Sequence, residues 1–167
     1  MNNKQLILFL LPRFSGGGAE RVMLNLLTEL HSSGYSVGVV VFDKDGPLLN
    51  TIPKDIPIHN LAKFTLRHAI IPLVKKLRQL NPKVIFSTFG YINVALLSIR
   101  WCLPQRTKIW IREANLPSIS IPNNPYSKIM NILYWGLYRR ADSLVCTSAR
   151  MKREFTLDFS VPESIVE

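Results

Sequence analysis

Leu6-Ile7-Leu8-Phe9-Leu10-Leu11, followed by Pro12-Arg13-Phe14-Ser15-Gly16-Gly17-Gly18-Ala19-Glu20-Arg21-Val22, is the stretch whose reading decides the fold. Its first part is an unbroken apolar run of strand length, which suits a strand covered on both faces of a parallel sheet. Pro12 to Gly18 is a loop. A helical pattern starts at Ala19, with Val22, Leu24 or Asn25, Leu26, Leu27 and Leu30 on one face, and Gly34 stops it at a C-cap position. Val37 to Phe42 is a second buried strand, closed by Asp43. Strand, glycine loop, helix and strand together have the size of a βαβ crossover.

Outward from this unit the alternation continues. Asp45-Gly46-Pro47 marks a turn, and Ile56-Pro57-Ile58 reads as a short strand with edge character because of its proline. Ile70 to Leu80 is an amphipathic helix, with Ile70, Leu73, Val74, Leu77 and Leu80 on one side and Lys75, Lys76, Arg78 and Gln79 on the other. Asn81-Pro82 ends it. Lys83–Ser87 is a strand, Thr88–Tyr91 a loop, Asn93–Trp101 a helix apolar almost all round, and Thr107–Arg112 a strand. Ser118–Pro125 reads as a loop, Tyr126–Arg140 as an aromatic-rich helix, Ser143–Thr147 as a strand and Ala149–Phe155 as a short helix. This order predicts an α/β fold, a three-layer Rossmann-like domain with a mainly parallel, doubly wound sheet and right-handed crossovers. Ligands bind such sheets at the carboxyl ends of strands. The candidate loops are therefore Pro12–Glu20, Asp43–Gly46, Thr88–Asn93 and Glu113–Ser118.

The chain's 167 residues suit one domain, and 47% hydrophobic residues exclude wholesale disorder. No stretch reaches the length of apolar residues that crosses a bilayer. The N-terminal apolar run is short for a signal core, and no small-residue cleavage site follows it. Cys102 and Cys146 have no metal spacing and read as buried thiols in a reducing compartment. His31, His59 and His68 show no ligand spacing either, so no metal is expected. These features together predict a cytoplasmic protein.

Gly16, Gly17 and Gly18 let the backbone turn tightly and let a ligand approach closely, and the helix behind them offers unpaired N–H groups at a positive dipole end. The chemical reading is a phosphate or sugar cradle; the plain structural one is a tight strand-to-helix turn. A dinucleotide site is the alternative, because Gly16 and Gly18 fit the first two glycines of G-x-G-x-x-G and Asp43 closes the second strand. Arg21 stands where the third glycine belongs and would hinder close packing of helix on strand. The P-loop pattern is absent.

The segment Ser15–Val22, with Gly34-Tyr35-Ser36-Val37 after it, resembles the N-terminal domain of family 4 retaining glycosyltransferases. Ile109-Trp110-Ile111-Arg112-Glu113-Ala114-Asn115 is similar to that family's Ser-Glu-Arg-Asn segment, with Glu113 and Asn115 matching directly. Arg140-Ala141-Asp142-Ser143-Leu144-Val145-Cys146-Thr147-Ser148 is similar to its Ala-Asp strand. The resemblance covers essentially the whole chain. It implies a two-domain (GT-B) enzyme whose N-terminal half holds the acceptor, while the C-terminal half binds most of a nucleotide-sugar through a Glu-x7-Glu motif. Residues 1–160 then form the acceptor-side domain, 161–167 start an interdomain linker, and the C-terminal donor domain is absent from this sequence. A lone half is expected to be inactive. No cofactor is expected beyond the nucleotide-sugar donor itself.

In this reading Gly16, Gly17 and Gly18 meet the leaving diphosphate with backbone N–H groups, without a metal. Glu113 orients an acceptor hydroxyl or binds sugar, and Arg112 pairs with a phosphate or with Glu113. Thr88, Tyr91, Asn93 and Asn115 line the acceptor side. Each also has a structural reading, as cap, loop support or core. From Ile56 to Arg112 there is no acidic residue but ten basic ones, and the whole chain carries +10. The 70–80 helix accordingly has two readings: as resting on an anionic membrane beside a glycan or glycolipid acceptor, at the inner face of the plasma membrane, or as an ordinary core helix with a solvated basic rim. A nucleic-acid-binding module is a further alternative that the charge permits, but the basic residues follow no known motif and the glycine loop would go unexplained; no nucleic-acid partner is expected.

Overall fold

The strands β1 (Ile7–Leu11), β2 (Val37–Val41), β3 (Ile58–Asn60), β4 (Val84–Ser87), β5 (Lys108–Arg112) and β6 (Ser143–Val145) form one sheet in the order β3-β2-β1-β4-β5-β6, every pair parallel. The structure, a computed structural model, describes residues 5–63 and 65–167. The first four residues of the expected domain lie outside these. Because the order reverses between β1 and β4, a crevice opens there at the carboxyl ends of the strands. The fold is the expected Rossmann-like α/β domain.

Two apolar layers sandwich the sheet. On one side α1 (Gly18–Ser32) packs Met23, Leu24 and Leu27 against Phe9, Leu11, Val39 and Val41. On the other, α2 (Leu66–Leu80), α3 (Gly90–Ser98), α5 (Ser127–Leu137) and α6 (Ala149–Leu157) cover Leu8, Leu10, Ile85, Ile109 and Ile111. The buried face of α1 differs from the expected one. Val22 and Leu26 remain 44% and 38% exposed, because the Met23–Leu27 row is the one turned to the sheet. Gly34 ends α1 as expected, at φ +84°; its N–H bonds the His31 carbonyl and the Tyr35 N–H bonds that of Leu30.

The apolar side of α2, through Ala69, Leu73 and Leu77, is buried in the core. That face is therefore not free to rest on a membrane, and the core-helix reading of α2 holds. The helix α3 is as deep as its composition implies, with every residue from Ile92 to Leu97 buried, but it ends at Ser98. The chain then leaves the core, so Trp101 is 80% exposed and Cys102 is exposed too. This corrects the expected burial of Cys102; Cys146 is half-buried. Within the expected 118–125 loop, Pro117–Ser120 forms the single-turn helix α4, with Pro117 at its first position. The 161–167 stretch is docked: Val161 and Val166 are buried, and Val166 bridges Leu144 in parallel.

Candidate functional site

Two neighbouring cavities open at the carboxyl ends of the strands. The one of about 240 Å³ lies between the starts of α1 and α3 and the segment after β5. Ala19, Gly90, Tyr91, Glu113 and Asn115 are among its walls. The other, of about 340 Å³, lies over the ends of β1 and β2, with Arg13, Glu20, Asp43 and Lys63 around it. Phe89 and Tyr91 border both.

Strand alternation places the central group. Along β5, Ile109 and Ile111 face α3 and α5, and Glu113, one step past the strand, follows them inward. It is only 4% exposed. Its Oε1 accepts a hydrogen bond from Asn93 Nδ2 at 2.7 Å and one from the Tyr138 hydroxyl. Asn93 Nδ2 also donates to the Arg112 carbonyl at 3.0 Å. Tyr134 stacks on Tyr138 with ring centroids 4.2 Å apart, and its hydroxyl comes so close to α3 that a Cβ at Gly90 would collide with it. Glycine at position 90 is thus what lets the network reach the start of the helix.

Burial dominates the electrostatics here. Loss of water pushes the Glu113 carboxyl up to about 7, against the opposing pull of the hydroxyl and amide donors around it. The Tyr134 and Tyr138 hydroxyls are raised too, first by burial and then by the facing carboxylate. At physiological pH Glu113 therefore sits near its midpoint, able to hold or release a proton at the cavity wall.

Arg112 points to the opposite face of the sheet from Glu113. Its Nη1 donates to Thr88 Oγ1 at 2.9 Å, and it forms no ion pair with Glu113. Burial lowers its proton affinity. Thr88 lines the first cavity but is buried, with its hydroxyl engaged by Arg112. Asn93 lines neither cavity. α3 begins at Gly90, earlier than expected, which turns Asn93 inward to full burial. It supports Glu113 instead, and its Oδ1 is buried without a hydrogen-bond partner. Tyr91 and Asn115 are exposed at the cavity.

The glycine turn flanks the cavities rather than lining them. Gly16 takes φ +92° against Pro47, and Gly17 is the N-cap of α1 with no side chain capping the helix. A Cβ at Gly18 would meet nothing within 4 Å, so the helix start is open to an approaching group. The Glu20 carboxylate shares this end: its Oε2 lies 2.5 Å from where a Gly17 Cβ would be. The turn is held from below. The Phe14 N–H bonds the Asp45 carbonyl at 2.9 Å, Arg13 pairs with Asp43 at 3.1 Å, and Gly46, at φ +127°, packs directly on the Phe14 backbone.

The aromatic pair was missed by sequence reasoning. Tyr134 and Tyr138 are spaced i, i+4 on one helix face, which was the available signal, but nothing local tied them to Glu113. Among the described residues no group of His, Cys, Asp and Glu is arranged to hold a metal ion.

Fold and site together define a parallel α/β domain with two cavities at its topological switch point. The chain belongs to glycosyltransferase family 4, whose sequence profile matches residues 16–167. The sequence has no significant match among curated proteins. Its fold is similar to that of Anabaena Alr3699/HepE in complex with UDP and glucose (TM-score 0.70, 18% identity, covering 98% of this chain and 43% of that one). It is also similar to sucrose-phosphate synthase from Thermosynechococcus elongatus (0.69, 14%, 98% and 47%). A third likeness is to the lipopolysaccharide outer core galactosyltransferase WaaB in its apo form (0.68, 13%, 97% and 44%). The chain thus spans less than half the length of these structures.

Proposed function

We propose that this chain is the acceptor-side half of a glycosyltransferase that moves a sugar from a nucleotide-sugar to a lipid-linked or cell-surface glycan, working with a C-terminal donor domain and inactive alone. The observation that carries the reading is the cavity at the β1–β4 switch point, with the uncapped start of α1 on one side and Glu113 in its wall, inside a chain that matches family 4 over residues 16–167. Backbone N–H groups at Gly18 and beyond meet the leaving diphosphate, so that this half needs no metal. Tyr91 offers an aromatic face to the acceptor ring, and Asn115 hydrogen-bonds its hydroxyls. Glu113 orients the reacting hydroxyl, held in place by Asn93 and Tyr138. Function in polysaccharide biosynthesis, at the cytoplasmic side of a membrane, follows from a lipid-linked acceptor. No helix among the described residues is long and apolar enough to cross one.

The test is amide shift mapping of the 15N-labelled chain titrated with UDP-glucose, UDP-galactose, short oligosaccharides and NADH. Nucleotide-sugar should move the amides of Gly18 and Ala19, and oligosaccharide those of Tyr91 and Asn115. Saturable NADH binding with no response to sugars would return the chain to the dinucleotide-binding reading.

A further inference from the structure

The helix α5 lies at the surface, yet large apolar side chains stand on its outward side beside the exposed Lys128 and Asn131. Its inner side, through Tyr134 and Leu137, belongs to the core. Its outer side carries Ile129, Ile132 and Trp135 at helical spacing, and these are 57%, 69% and 52% exposed. A surface helix of this kind ordinarily carries polar residues outward. The strip does not end with the helix. Trp101, beyond its C-terminal end, is 80% exposed.

The charges beside the strip have one sign. Residues 114–141 contain no acidic residue, while Lys128, Arg139 and Arg140 are basic. The Arg139 guanidinium lies over the Trp135 ring at 4.4 Å from its centroid, and that of Arg140 over the Trp101 ring at 5.8 Å. Each arginine thus sits at the level of an exposed indole. Tryptophans at the boundary, cations beside them and aliphatic side chains between are the pattern of a helix lying in a bilayer interface.

We propose that the outer face of α5, with Trp101, beds into an anionic phospholipid surface, Ile129, Ile132 and Trp135 among the acyl chains and Arg139 and Arg140 on the lipid phosphates. Charge complementarity selects the bilayer over a second copy of this chain, since apposing two such faces would set cations against cations with no acidic residue between them. The inference deepens the membrane part of the proposed function and moves the contact from α2 to α5.

Co-sedimentation of the full chain with vesicles tests it. Vesicles of phosphatidylcholine with phosphatidylglycerol should retain the chain at least about tenfold better than phosphatidylcholine alone. Ile132→Ser with Trp135→Ser, and separately Arg139→Glu with Arg140→Glu, should each lower binding about tenfold or more. Lys75→Glu with Arg78→Glu on α2 should leave it within about twofold. In a Trp110→Phe background, brominated lipid should quench the fluorescence of Trp101 and Trp135. Equal recovery on neutral and anionic vesicles, or binding that survives Ile132→Ser with Trp135→Ser, would overturn the proposal. A concentration-dependent dimer abolished by Ile132→Ser would assign the face to a second copy instead. Sugar-induced shifts at Tyr91 and Asn115 should persist in the arginine variant, which keeps failure here separate from failure of the transferase reading.

Discussion

Glu113 loses its water on folding and gains hydrogen bonds from Asn93 and Tyr138, two effects of opposite sign on its proton affinity. The net result, a carboxyl raised from 4.5 to about 7, is a statement about stability. Between those values the folded chain keeps a proton that the unfolded chain releases. The contribution is complete below the unfolded value and is lost as pH rises through 7, about 3 kcal/mol in all. Glu113→Gln should remove that part of the pH dependence. The melting temperature of the native chain should fall relative to the variant between pH 5 and pH 8, and parallel profiles would show that Glu113 is not a neutral buried acid. Tyr138→Phe, which deletes a donor to the ionised form, should carry the fall to higher pH. Of this arrangement the sequence showed Glu113 and Asn115 at a strand end, through their likeness to a motif. It did not show that Asn93 and Tyr138 are the partners, because a helix start misplaced by a few residues turns a side chain from the crevice into the core.

At the scale of elements, the glycine turn separates a folding role from a binding role. Gly46 has a positive φ and stands against the Phe14 backbone, so Gly46→Ala should cost about 3 kcal/mol or more, read from urea unfolding. Gly18, in the first turn of α1 with open space around it, should behave oppositely: Gly18→Ala should raise stability by about 0.5 to 1 kcal/mol. If an anion approaches that backbone, the same substitution should weaken nucleotide-sugar binding, and unchanged affinity would leave the turn a purely structural one. The alternation of strands and helices was legible because the apolar runs are short and continuous and the helical segments periodic. Helix starts were not. Phe89 at the N-cap of α3 is no capping residue, so α3 opens without the usual polar signal, while Thr65 at the N-cap of α2 is one but sets its hydroxyl against the His68 ring at 2.8 Å rather than on the helix N–H groups. α2 begins at Leu66, ahead of the expected Ile70, and carries Pro72 inside.

For the molecule as a whole, parallel strands and crossover hand follow from local patterns, while the order of strands depends on which strand β4 joins, a long-range choice with no local code. Placing β4 beside β1 creates the switch point, and with it the site. The same holds at the C-terminal end, where residues 161–167 carry no strong periodic signal and read as a connection. In the fold, the Glu167 N–H bonds the Leu144 carbonyl at 2.9 Å, Lys152 Nζ donates to the Val166 carbonyl at 2.9 Å, and Val166 is 4% exposed in the layer that holds α6. A stretch so placed belongs energetically to the domain. Ending the chain after Val161 exposes core that Val166 covered and frees the edge of β6, at a cost of roughly 2 to 4 kcal/mol. Urea unfolding of the shortened chain should therefore show a clearly lower midpoint with little change in slope. A midpoint equal to that of the intact chain would mean that the segment comes away freely, as a linker between two lobes would, and that the domain is complete before it.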